Sequence, residues 1–282
     1  MQNCLKVFIT FLITSFVITN ASAKESGFEL STSLVGMSMD YREYDESNEI
    51  LDSETSKFTE MVGPELRGRY THLHQNQNYS SIGINLTYLS GTTEYKGARL
   101  DPVTLTYGAY GSYVGTTKNR ILDTSVDYSF THAYKRGLEF SYGVGVGYRS
   151  WRRELSPSQI EVYAWPSLRP NFTISYSKRW FEVGTTLEYQ YGINPEMTVL
   201  KDSENPDTTL HLGSANILQI SVPIKFILTD YLTLFMENSY QYQVIEKSDS
   251  AAYVYNSTVV SISEPKSVAN NLYTKFGMIF KF

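Results

Sequence analysis

The sequence predicts an all-β chain closed into a transmembrane, up-and-down antiparallel β-barrel. Three observations carry that expectation. First, the final residues alternate: Leu272, Phe276, Met278, Phe280 and Phe282 share one parity, and Tyr273, Lys275, Gly277 and Lys281 the other. Period two is the signature of a strand, and a whole face of large apolar groups suits contact with lipid. Read alone, the same stretch also fits a core strand of a soluble sandwich. Second, beyond residue 23 there is no apolar run of about 18 residues, the length a spanning helix needs. Third, the polar connections alternate short and long, as in barrels with tight turns at one end and long loops at the other. Ten strands are expected. Eight or twelve are the alternatives, depending on whether residues 97–119, rich in Gly, Tyr and Thr, form a loop or extend their neighbours.

The chain starts with a basic residue, Lys6, an apolar run over 7–18 and Ala21-Ser22-Ala23. That order is a secretory signal peptide with cleavage after Ala23. Residues 1–23 are therefore the expected leader and 24–282 the barrel. Cys4, the single cysteine, falls in the leader. The mature chain is left without a disulfide although it enters a disulfide-permissive space, so its stability must come from backbone pairing. The formal net charge is −5, which argues against a nucleic-acid partner, for which a basic stripe would be needed. The 23 tyrosines suit strands and interfacial aromatic girdles.

The elements follow in order. The first strand is 28–44, with Phe28, Leu30 and Leu34 outward and Glu29, Ser31 and Ser33 inward. An acidic loop over 45–57 precedes the second strand, 63–74, where Pro64 belongs at the start because proline cannot donate to a ladder. The third strand turns Ile82, Ile84, Leu86 and Tyr88 outward, and the fourth Leu122, Val126, Tyr128 and Phe130. The fifth alternates most strictly, Leu138 to Tyr148 on even positions against Glu139, Ser141, Gly143, Gly145, Gly147 and Arg149 on odd ones. Strands six to ten are expected over 162–176, 180–191, 212–228, 232–244 and from 267 to the end. Polar loops are expected at 201–211 and 248–266. Pro166, Pro170 and Pro223 should cost local ladder bonds.

Register predicts the interior. A turn at 135–137 pairs Tyr134 with Leu138 and so sets Asp123 opposite Arg149. A two-residue turn at 178–179 sets Arg169 opposite Glu188. Directly opposed side chains interact, so both are expected lumen ion pairs. Glu29, Glu65, Arg67, Arg69, Asp127, Glu139, Arg153, Glu182, Lys225, Glu237, Lys275 and Lys281 are expected inside as well. An unpaired buried charge costs several kcal/mol, so these groups should pair with each other or with trapped water. They would either line a conduit or fill a narrow lumen as a polar plug, and a barrel near eight strands is readily filled.

The alternating final strand that ends on Phe282, with Tyr273 near its start, resembles the C-terminal signature of Gram-negative outer-membrane β-barrel proteins. The resemblance implies residence in the outer membrane, contact with its lipid and lipopolysaccharide, and recognition of the last strand by the barrel-assembly machinery. It covers the mature chain as a class and points to no functionally named family. Arg120 and Arg152 fall opposite each other, outward and at the extracellular rim. Two guanidinium groups side by side call for an anion, and Arg suits phosphate, so contact with lipopolysaccharide phosphates is expected. Pairing with acids is the simpler alternative.

In length and strand number the chain is similar to the omptin proteases, whose activity is associated with an Asp-x-Asp and an Asp-x-His pair. No Asp-x-Asp occurs here, and Asp207 and His211 are four apart. His72 and His74 share a face without a third ligand, short of a metal site. No cofactor, metal or catalytic residue is expected. The expected role is non-enzymatic, in envelope structure or surface interaction, with a narrow channel for small solutes as the alternative and a surface protease or lipid-modifying enzyme third.

Overall fold

The computed structural model describes residues 26–74, 76–98, 108–156, 159–200, 207–255 and 258–282. The expected leader, with Cys4, lies outside them, as does most of 97–107. The strands are β1 (Gly27–Tyr44), β2 (Ile50–Thr55), β3 (Met61–Leu73), β4 (Tyr79–Gly97), β5 (Tyr113–Ala133), β6 (Leu138–Ser156), β7 (Gln159–Ser177), β8 (Phe181–Gly192), β9 (Glu196–Leu200), β10 (Thr208–His211), β11 (Ala215–Ile227), β12 (Leu232–Ile245), β13 (Ser250–Tyr255), β14 (Thr258–Ser263) and β15 (Lys266–Lys281).

Ten antiparallel staves close the barrel. Three of them are broken. β2 and β3 are successive parts of one stave, since both lie between β1 and β4. β9 continues the line of β8 along β7, and β10 leads into β11. The β13–β14 hairpin stands outside the wall. The barrel shuts where β1 meets β15, from Glu29 opposite Lys281 to Tyr44 opposite Lys266. At the very end Phe28 and Phe282 exchange two backbone bonds of 3.2 and 2.9 Å. Among the described residues closure leaves no edge of the lipid-facing wall unpaired, the condition for strands to stand in lipid.

Several expected loops are strands. β4 and β5 stay paired from Tyr79–Thr131 to Gly97–Tyr113, so part of the 97–119 stretch extends its neighbours. β6 and β7 run to Ser156 and Gln159. Both pairs stand well above a span of about 9–11 residues. The expected loops over 45–57, 201–211 and 248–266 each contain strand. Two of the prolines act as expected: pairing lapses at Pro170 between β7 and β8 and at Pro223 between β11 and β8. Pro166 instead keeps its place in the ladder, opposite Tyr148, and pairing also lapses at Pro64 between β3 and β4. Pro64 is inside its strand, not at the start.

The outer surface carries a belt of exposed apolar side chains, among them Leu34, Ile84, Val126, Tyr128, Val146, Phe172, Leu187, Ile220, Leu234 and Phe276. An apolar surface that runs round the whole circumference is a lipid-facing surface. Leu272, Met278, Phe280 and Phe282 share this exposure, while Lys275 is buried. The chain is thus an integral outer-membrane barrel, with its short turns and both described ends on the periplasmic side.

Candidate functional site: the barrel interior

The lumen has three levels. The lowest is a polar cavity of about 830 Å3. It reaches the periplasmic turns at Lys178, Asp230 and Tyr231, and ends upward at Val35, Leu89 and Ile121. Several of its charges are paired. Lys275 Nζ donates to Glu65 at 2.7 Å and Glu237 at 3.1 Å, and Arg67 lies 3.2 Å from Glu65. Lys225 meets Glu182 at 2.7 Å.

Asp123 is the centre of a second cluster. It is opposite Arg149, as the turn at 135–137 requires, with Arg149 Nη1 at 3.6 Å. The tighter partner is Arg169, which grips both carboxylate oxygens at 2.8 and 3.2 Å. The expected Arg169–Glu188 pair therefore needs correction. Lys178 N–H donates to the Phe181 carbonyl, so the tight turn centres on 179–180, one residue later than expected. The register moves by two and sets Asn171 opposite Glu188. Gly147 completes the arrangement. A Cβ there would meet the Arg169 guanidinium, so a larger residue would push Arg169 off its present path to Asp123.

Above the cavity is a layer that alternation did not foretell. Val35, Met37, Met61, Leu89, Ile121, Trp151, Trp165, Met197, Leu210, Ile217, Ile245 and Ala269 are all inside and buried. All ten staves contribute to it. A polar and charged plug was expected, but the closing layer is apolar. The reason is space: where side chains meet across the lumen water is excluded, and an apolar group then costs nothing while a polar one needs a partner. The signal was present in β1, where the inward parity changes from Ser31 and Ser33 to Val35, Met37 and Met39.

The third level is a knot around Arg153, itself 1% exposed. Its Nε and Nη2 donate to Glu54 at 3.0 and 2.8 Å. Its Nη1 donates to Glu43 at 2.9 Å and Glu161 at 3.0 Å, with Tyr163 at 2.9 Å. Its guanidinium lies 4.6 Å from the Tyr41 ring centroid and 5.4 Å from that of Trp151. Glu54 also accepts from Thr93 at 2.5 Å and Asn119 at 3.0 Å. The Tyr163 hydroxyl donates to Glu264, at the foot of the β13–β14 hairpin. This knot is above the lipid belt. Burial pushes the Glu264 carboxyl well up, and the Glu43 and Glu161 charges add to the effect. Asp52, at the same rim, is raised to about 7 by burial and then by Glu43.

The outward residues sit as follows. Arg120 and Arg152 are register partners and share Oε1 of Glu154, at 3.4 and 2.9 Å. His72 and His74 are edge to face at 5.0 Å, and His132 is 4.9 Å from Phe130 in the periplasmic girdle. His211 Nδ1 lies 3.2 Å from Glu196, its register partner. Among the described residues no group of three or more His, Cys, Asp or Glu is placed to hold a metal ion.

The fold and interior define a transmembrane barrel closed in its upper half and hollow below. No protein-family model matches the chain, and no curated protein matches it. Solved structures do. The outer-membrane protease OmpT of Escherichia coli is similar over 94% of this chain and 99% of its own, at 11% identity and a TM-score of 0.56. The translocator domain of the autotransporter NalP from Neisseria meningitidis aligns with 100% of this chain and 95% of its own, at 9% identity and a TM-score of 0.41. The outer-membrane protein OprG from Pseudomonas aeruginosa aligns with 93% and 99%, at 8% identity and 0.38. The OmpT likeness is one of fold.

Proposed function

We propose that this protein is a non-conducting, non-enzymatic outer-membrane barrel, a wall element that presents its extended extracellular strands and the β13–β14 hairpin to the surroundings. The apolar layer supplied by all ten staves is the observation that supports this. Arg153 and its glutamates lie above that layer and add a second closure. Delivery through the barrel-assembly machinery by the strand ending at Phe282 belongs to the same reading.

The enzyme alternative has little to work with. The His211–Glu196 pair faces solvent on β10 and β9. The nearby Thr209 hydroxyl shares its hydrogen bond with Thr198, at 3.0 Å. A nucleophile needs a base within hydrogen-bond reach, and the Arg153 carboxylates are buried away from any substrate. The channel alternative is tested directly. Refolded into a planar bilayer, the protein is expected to give no steady single-channel steps, and the Trp151→Gly, Trp165→Gly double variant is expected to give them. Steady steps from the unaltered protein would overturn the reading in favour of a narrow channel.

A further inference from the structure

The outer face of β5 and β6 at the extracellular end of the belt carries a cluster of cations that its one carboxylate only partly offsets. Arg120 is directly opposite Arg152, and Lys118 is directly opposite Glu154. Like charges set directly across a strand pair are destabilising, so the pair needs an anion. Glu154 provides one, and both arginines draw on the same oxygen, Oε1. Three cations thus stand around one carboxylate, two of them bonded to it. Other ion pairs on this end of the wall match one base to one acid: Arg42 with Asp40 at 3.0 Å, Lys96 with Glu94 at 2.8 Å and Lys266 with Glu246 at 2.9 Å. Protonation does not change the count, because the Arg152 hydrogen bond and the neighbouring cations hold the Glu154 carboxyl below its usual range. The patch carries a net charge of two.

Position says what would meet that charge. Toward the periplasm, the next outward residues are Leu122 on β5 and Ser150 and Tyr148 on β6, followed by exposed Val126, Tyr128, Val144 and Val146. From Phe130 to Leu122 a tilted strand climbs about 20 Å at about 3.4 Å per residue, most of a lipid-facing band of about 25 Å. The arginines therefore stand at the height of the outer-leaflet headgroups. On the β7 side their neighbours are Val162, opposite Arg152, and Ile160, opposite Glu154. An apolar flank beside a fork of guanidinium donors fits a phosphorylated group that carries acyl chains. Free phosphate would leave the flank unused.

We propose that Lys118, Arg120 and Arg152 form a binding site for a lipid-linked phosphate of the outer leaflet, a phosphate on lipopolysaccharide. The phosphate sits across Arg120 and Arg152, with Glu154 as the spacer that sets their separation. The proposal is independent of whether the lumen conducts.

The test uses the full refolded protein in detergent micelles and two probes, a bis-phosphorylated lipid A and the same lipid stripped of phosphate. Folding of each variant is checked by its heat-dependent gel mobility. Arg120→Gln with Arg152→Gln is expected to weaken binding of the phosphorylated probe by roughly tenfold or more, the loss of one or two charge-assisted hydrogen bonds. Glu154→Gln, which removes the competing carboxylate, is expected to hold or tighten it. Equal binding of the two probes, or an unchanged affinity in the double variant, would overturn the proposal. Full displacement by millimolar inorganic phosphate would reassign the patch to a free-anion site and likewise overturn it.

Discussion

Arg153 holds three buried glutamates through one guanidinium, and each of its nitrogens has a carboxylate partner. Removing one member of such a knot leaves buried charge without compensation, at a cost of roughly 3–5 kcal/mol. Arg153→Met is therefore expected to lower the urea stability of the barrel by about that amount, and an unchanged unfolding midpoint would show that the glutamates repair themselves by protonation. Asp52 allows a pH test. Its folded value of about 7 is above the roughly 4 of a free aspartate. The folded state then binds the proton more tightly, so its stabilising contribution is present below about pH 4 and is lost as pH rises through about 7. Asp52→Asn should flatten the decline of the unfolding midpoint between pH 4 and 7.5, and parallel profiles would exclude Asp52 as its source. Of these residues only Arg153 could be placed inside from the sequence. Its partners come from β1, β2 and β7, and parity gives a side but never a diagonal neighbour.

At the level of elements, what pairs across a tight turn was legible and what crosses a break was not. The turn at Arg136 and Gly137, both at positive φ, fixes β5 against β6 and with it Asp123 against Arg149. The turn after β7 hides its centre, because Lys178, Arg179 and Trp180 all suit it, and one residue of slip moves every partner by two. The broken stave was invisible for a different reason. Between β2 and β3 the chain swings over β4, where the Glu60 carbonyl lies 1.7 Å from the place a Cβ on Gly91 would occupy. Nothing in an alternating pattern marks that approach. Gly91→Ala is expected to cost about 1–3 kcal/mol, as overpacking does, with loss of the Thr92 N–H bond to Glu60. An unaffected thermal unfolding curve would mean that the 56–60 segment moves aside freely.

For the whole molecule, alternation, the aromatic content and the final strand were sufficient to predict a closed ten-stave barrel, because lipid leaves few other ways to satisfy a strand's backbone. The interior was harder. A sequence reports the polarity of the inward face, and here that face is polar below and apolar above. The lower half is a vestibule lined by polar and charged side chains, and the upper half is packed like the core of a soluble protein. On the proposed reading the closure rests on a few large side chains, Trp151 and Trp165 foremost, and the bilayer measurement on the double glycine variant tests it.

The contact between β1 and β15 has a kinetic consequence. The Glu65–Lys275 pair beside it joins residues 210 apart in the chain, and Phe28 meets Phe282 across almost the entire sequence. Contacts of such separation carry the largest loop-closure cost and form late. Until they form, two long edges remain unpaired, each a template for another chain. The hazard in this protein's life is thus concentrated in the interval before the ring shuts, when two distant edges must still find each other.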